Sequence, residues 1–126
     1  MSAPQVPYDD ALGFRKTVRC PGDVVIEVDV DERLHNPMGS LHGGVLMVLL
    51  DSAMGNNMTM LLEPGQTTTN TEMQVRFLAP VVAGALVAEA HILHRTNRSV
   101  LWEATVRHAG AVVARATSTF LIRTTS

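Results

Sequence analysis

The stretch from about His42 to about Leu62 is apolar on nearly every side, with Val45 to Leu50, Ala53, Met54, Met58 and Leu61-Leu62 spread around the helical wheel. A helix of that kind has to be enclosed on most of its faces, so the rest of the chain must supply a wrapping layer. Gly55 weakens its middle by about 1 kcal/mol relative to Ala, and Pro64-Gly65 ends it. Beyond Gln66 the chain reads as strand: Thr67 to Leu78, Gly84 to His94, Ser99 to Arg107 and Ala111 to Arg123, rich in Val and Thr. Short links between them, His108-Ala109-Gly110 among these, join antiparallel neighbours. Before the helix, after a turn at Pro21-Gly22, Val24 to Val30 alternates apolar and acidic residues as a half-buried strand does. The predicted class is α+β, with about five antiparallel strands wrapped around one long, wholly buried helix.

A chain of 126 residues fits one domain, predicted over 1-126. Pro4 and Pro7 mark residues 1 to 8 as a flexible lead-in, and Asp9-Asp10-Ala11-Leu12 starts a short helix. Asp31 to Ser40, with Pro37 and Gly39, reads as a loop or a single helical turn. Aromatic residues are only 4 % of the chain, so Val, Leu, Ala and Met must build the core. The net charge of -2 argues against a sequence-independent hold on nucleic acid or on acidic membranes, and neither partner is expected. Val45 to Leu50 falls far short of the ~20 apolar residues of a membrane span. Cys20 is the sole cysteine, which removes any intrachain disulfide or cysteine-based zinc set, and the five His show no metal-ligand spacing. No metal is expected. Met1 to Asp10 lacks the basic stretch and apolar segment of a secretory signal, so a cytoplasmic location is expected.

Asp51 follows six apolar residues on a helix with no evident free face, and no Arg or Lys stands at helical spacing from it. An ionised carboxylate there costs several kcal/mol unless it is paired or hydrogen-bonded. It is either a carboxylate that points into a crevice or caps a loop, or a general base or nucleophile. Asn36-Pro37-Met38-Gly39-Ser40-Leu41-His42-Gly43-Gly44 leads straight into the helix. Two glycines at a helix start leave amides unshielded at the positive end of the dipole, where an oxyanion can be held. The plainer reading is close packing of the helix end; His42 is equally consistent with a structural role, and Asn36 with a turn former.

Together, Asn36-x5-His42-Gly43-Gly44-x6-Asp51 resembles the motif of the phenylacetate-pathway-like (PaaI-type) branch of the hotdog-fold acyl-CoA thioesterases, and the resemblance runs roughly from Leu12 to Arg123. It implies that Asp51 attacks a thioester or activates water, that the Gly43 amide polarises the carbonyl while Gly44 next to it binds substrate, and that Asn36 and His42 help to hold water and carbonyl. It also implies a polar residue on the next strand, Asn70 or, after a one-residue slip, Thr69. The implied substrate is an acyl-CoA, with no cofactor besides the coenzyme A that the substrate carries. A homodimer at least, and a dimer of dimers as a homotetramer, complete the expectation.

Helix geometry asks for a second subunit independently. Gly43 and Asp51, eight residues apart, are separated by about 12 Å along the axis at 1.5 Å per residue, too far to meet on one carbonyl carbon. If both act on it, one of them comes from a second copy, and a symmetric dimer has two such shared sites. For the coenzyme, His94-Arg95-Thr96-Asn97-Arg98-Ser99 brings Arg95 and Arg98 into one hairpin, where bidentate guanidinium groups suit phosphate oxygens; Arg76 and Arg107 are weaker candidates. No phosphate-binding Gly loop and no G-x-S-x-G is present. Two rival readings are a non-catalytic acyl-CoA-binding module and an enoyl-CoA hydratase, although His42 nine residues before Asp51 does not resemble the latter's arrangement. The acyl group stays open between aryl and medium-chain types.

Overall fold

The computed structural model describes residues 5 to 20 and 22 to 125. In chain order the elements are α1 (Pro7–Ala11), β1 (Arg15–Cys20), β2 (Asp23–Val30), a 3-10 turn at Glu32–Leu34, α2 (Gly43–Leu61), β3 (Gln66–Phe77), β4 (Gly84–Arg95), β5 (Ser99–His108) and β6 (Ala111–Thr124). The strands form one sheet in the order β1-β2-β4-β5-β6-β3, antiparallel at every pairing. The predicted α+β wrap around one long helix is thus present, and its five expected strands fall within a residue of their predicted ends. Residues 1 to 4 of the expected lead-in, and Pro21 of the expected turn, lie outside the described residues, while Pro7 and Tyr8 already open α1.

The sheet has a sixth strand, β1, which the apolar pattern did not reveal. It is an edge strand with charged side chains outward: Arg15 bonds Asp29 at 2.9 Å, and Arg19 bonds Asp23 at 2.9 Å and Glu89 at 2.7 Å. Charges of this kind protect an edge from further pairing and at the same time erase the alternation by which a strand is recognised.

Alternate residues of the central strands meet α2. Ile26 and Val28 of β2, Leu86 and Ala88 of β4, Val100, Trp102 and Val106 of β5, and Ala114 and Phe120 of β6 bury themselves against Leu49, Leu50, Ala53, Met54 and Met58. Asn57, fully buried, fixes the helix on the sheet: its Oδ1 accepts from the Val24 amide at 2.7 Å and its Nδ2 donates to the Val24 carbonyl at 3.0 Å. A buried amide so satisfied sets the register of helix on strand.

The expectation of a wholly buried helix needs correction. Met47, Asp51 and Thr59 are exposed and Gly44, Val48 and Gly55 half-buried, so one stripe at helical spacing is left uncovered. Apolar composition alone could not separate a helix enclosed on all sides by its own sheet from one with a face left uncovered. At the other edge of the sheet, β3 pairs among the described residues only with β6, and a register shift between Asn70 and Glu72 bends it beside that stripe. Among the described residues, no helix is long and apolar enough to cross a membrane.

Candidate functional site

The loop into α2 uses up most of its own polar groups. Asn36 Oδ1 accepts from the amides of Met38 at 2.9 Å and Ser40 at 3.3 Å, and its Nδ2 donates to Ser40 Oγ at 3.2 Å. Its carboxamide therefore shapes the turn that ends at Gly39, whose φ of +84° few other residues tolerate. His42 is the N-cap of α2, and its Nδ1 accepts from the Gly44 amide at 2.9 Å. An accepting Nδ1 leaves the ring proton on Nε2.

The two glycines consequently differ. A Cβ on Gly44 would lie 3.0 Å from His42 Nδ1, so glycine there serves the cap, and the Gly44 amide is not open as expected. A Cβ on Gly43 would sit at an ordinary 3.5 Å from the Phe77 ring, so packing alone does not demand glycine. Among the described residues the Gly43 amide has no acceptor and points out of the first turn as a donor at the positive end of the helix dipole. It lines a cavity of about 320 Å³ with Leu46, Phe77 and Pro80.

Asp51 lies two turns further on, over a different cavity of about 310 Å³ that it shares with Asp9, Ser52, Gly55, Thr59 and Thr68. Its Oδ1 accepts from Asn70 Nδ2 at 3.2 Å, and among the described residues no cation contacts it. Although the residue as a whole is exposed, partial desolvation of the carboxyl against the cavity wall, and after that the negative charge of Asp9, hold its pKa above the ordinary carboxylate value. One long hydrogen bond is too little to reverse the effect of lost hydration. The result is a carboxylate better suited to take a proton than a surface aspartate.

Asn70 and Thr69 separate by register. Asn70 stands opposite Phe120, whose side chain enters the core, and so faces α2; Thr69 stands opposite Leu121 on the other face of β3. The bulge at Thr71 is what turns the strand here. Arg95 closes β4 and Arg98 lies in the following hairpin, whose amides are held by Thr96 Oγ1. Both guanidinium groups are exposed and have no ion-pair or hydrogen-bond partner among the described residues. Arg95 pairs with Val100, Val100 with Phe120, and Phe120 with Asn70, a single row across the sheet. Three strand spacings put Arg95 about 14 Å from Asn70 along that row.

Asp9, Ser52 and Thr68, which line the cavity with Asp51, escaped the sequence reading. Asp9 is 2 % exposed, accepts from Ser52 Oγ at 2.7 Å, and pairs with Lys16 Nζ at 3.1 Å. Thr68 Oγ1 donates to the Leu121 carbonyl at 2.7 Å. Nothing local marks Asp9, because its partner Ser52 is 43 residues away.

A family model described as the thioesterase superfamily matches residues 38 to 115, from the loop before α2 into β6. The chain is similar to 1,4-dihydroxy-2-naphthoyl-CoA hydrolase of Listeria monocytogenes, 33 % identical over 65 % of this chain and 67 % of that protein. It is also similar to the proofreading thioesterase EntH of Klebsiella pneumoniae, 34 % identical over 75 % of this chain and 69 % of that one. Among solved structures, a mutant of the phenylacetic acid degradation protein PaaI from Thermus thermophilus superposes with a TM-score of 0.85 at 25 % identity, covering 92 % of this chain and 98 % of that chain.

Proposed function

The chain belongs to the thioesterase superfamily and is a thioester hydrolase, and from that premise we propose that it cleaves an aryl- or medium-chain acyl-CoA to the free acid and coenzyme A at a site shared by two copies of itself. The observation that carries this reading is the Asp51 carboxylate, uncompensated by any described cation, raised in pKa and set over a cavity beside Asn70. In this scheme Asp51 takes a proton from water as the resulting hydroxide adds to the thioester carbonyl. The oxyanion is received by the amide of the partner's Gly43. Collapse breaks the C–S bond, and the departing thiolate takes up the proton that Asp51 had gained. No metal or organic cofactor enters the reaction.

The uncovered face supports the dimer. β3 is an edge strand next to exposed Met47, Phe77 and Leu78, and long edges of that kind are normally covered. Gly43 lies by Phe77, and Asp51 by Asn70. If two β3 edges pair antiparallel about an axis near Met73 and Gln74, the partner's Phe77 comes opposite Asn70. The partner's Gly43 then approaches Asp51, as the 12 Å argument requires; a dimer of dimers would complete the assembly. Arg95 and Arg98, unpaired and remote from the carboxylate along the sheet, suit the nucleotide phosphates of the coenzyme. A reducing, cytoplasmic setting suits the exposed thiol of Cys20.

A thiol-release assay over a panel of aryl- and alkyl-CoA thioesters tests the proposal. Turnover of at least one class, lowered by on the order of a hundredfold or more in Asp51→Asn, is the expected result. Tight binding without thiol release would mean a binding module, and water addition to an enoyl-CoA would mean a hydratase. Single turnover in ¹⁸O-labelled water should leave Asp51 unlabelled, since label in its carboxyl marks a nucleophile instead.

A further inference from the structure

The cavity beside Asp51 is walled on one side by α1 and the residue before it, not by the sheet: Val6, Tyr8 and Asp9 face Val48, Gly55 and Thr59 across it. A helix of five residues has no stability of its own, so α1 stands where its contacts fix it. Those contacts converge on Asp9, which is nine-tenths buried and more: Ser52 donates to it at 2.7 Å, Lys16 pairs with it at 3.1 Å, and its carbonyl accepts from the Phe14 amide at 3.0 Å. A buried ion pair is a costly way to dock a helix, since an apolar side chain holds one at lower desolvation cost. This one is tied to Ser52, the neighbour of Asp51. Tyr8, by contrast, is 61 % exposed over the cavity, an aromatic side chain on the wall with no hydrogen-bond partner among the described residues. A cavity of about 310 Å³ is at the small end for ligand sites, so the position of one wall decides what fits.

We infer that α1 is the specificity wall of the acyl site, latched by Asp9 onto Ser52 and Lys16, and that Tyr8 and Val6 set the size of acyl group admitted. Asp9 is on this view a positioning residue. The inference rests on the acyl-CoA reading and deepens it.

The experiment measures kcat/KM for acyl-CoA thioesters of increasing chain length and ring size with wild type, Tyr8→Ala, Tyr8→Trp and Ser52→Ala. Tyr8→Ala should raise the ratio for the largest over the smallest acyl group about tenfold, and Tyr8→Trp should lower it, the scale on which apolar pockets discriminate. Ser52→Ala, which frees the latch, should flatten the ladder chiefly through KM. A uniform change across the ladder in all three variants, or none, would overturn the inference. Binding constants of the same thioesters to Asp51→Asn, with and without Tyr8→Ala, give a readout without turnover. A wild type inactive on every CoA thioester sinks the proposed reaction, whereas an active one whose ladder and binding ignore Tyr8 sinks the wall alone.

Discussion

Two regions of the open stripe on α2, its N-terminal end and its middle at Asp51, are built in opposite ways. At the N-terminal end, Asn36 bonds Ser40 and His42 caps Gly44 within nine residues, and among the described residues the Gly43 amide is left without an acceptor. Around Asp51 almost nothing is local: Asn70 comes from β3, Asp9 from α1, and Lys16 behind it from β1. The first region is rigid by short-range bonding and offers a fixed dipole. The second is assembled by tertiary packing and offers a group whose charge its surroundings can adjust. A donor for an oxyanion must not move, and a base must be tunable, so each construction suits the chemistry assigned to it.

Removing the tunable partner should have the largest effect. Asp51→Asn is expected to lower kcat by on the order of a hundredfold or more, as loss of a general base does. Stability should move the other way. The folded pKa of Asp51 lies above its unfolded value, so its favourable contribution exists only at low pH and is lost as pH rises through the folded pKa. At neutral pH the ionised carboxylate is a cost, and the variant should melt no lower than wild type. Near-normal turnover by a clean preparation, or a marked fall in Tm, would show that Asp51 is an ordinary structural acid.

The next test asks whether the two regions work on one thioester. Asp51→Asn and a bulky replacement of Gly43 should each be inactive as homodimers. Mixed and exchanged, they should regain activity up to a sizeable fraction of wild type, because a heterodimer has one site with both lesions and one with neither. No recovery after verified exchange, or full activity from a monomer, would separate the two regions functionally.

The contrast also explains what could be read in advance. α2, the four strands after it and the Gly43 amide follow from period, turn residues and helix-end geometry, all of which act over a few residues. β1 was hidden because its outward charges pair with Asp23, Asp29 and Glu89 on other strands. Asp9 was hidden for a stronger reason. As part of Asp9-Asp10 it reads as a helix start, and only the packing of α1 on Ser52 turns it into a buried member of the site. The free face of α2 was equally out of reach, since a surface kept for a second molecule and a surface kept for the core call for the same apolar residues.

The tuning itself can be made to go both ways. Asn70 donates to Asp51 and favours its charged form; Asp9 opposes that form through its own charge. Asn70→Ala should therefore move the acid limb of the kcat/KM profile to higher pH, with a loss of about tenfold at neutral pH, the scale of one hydrogen bond to a charged group. Asp9→Asn should move it to lower pH. Thr69→Ala, on the opposite face of β3, should leave the limb where it is. A limb that shifts with Thr69 and not with Asn70 would reverse the assignment of the two.

The smallest expected effect belongs to the hairpin at the far end of the row that starts at Asn70. Arg95 and Arg98 are exposed, so the phosphate contacts proposed for them would compete with water and salt, and their worth would be modest. Alanine at either position should raise KM for CoA thioesters a few-fold with little change in kcat, and added salt should diminish the difference. The contact acts equally on ground and transition state, which is why kcat holds, and thioesters without a nucleotide, which never make it, should be hydrolysed alike by variant and wild type. That split is the discriminating feature. If KM rises equally for both kinds of thioester, the arginines support the hairpin, and the coenzyme's phosphates must be met elsewhere, with Arg76 and Arg107 the next side chains to replace.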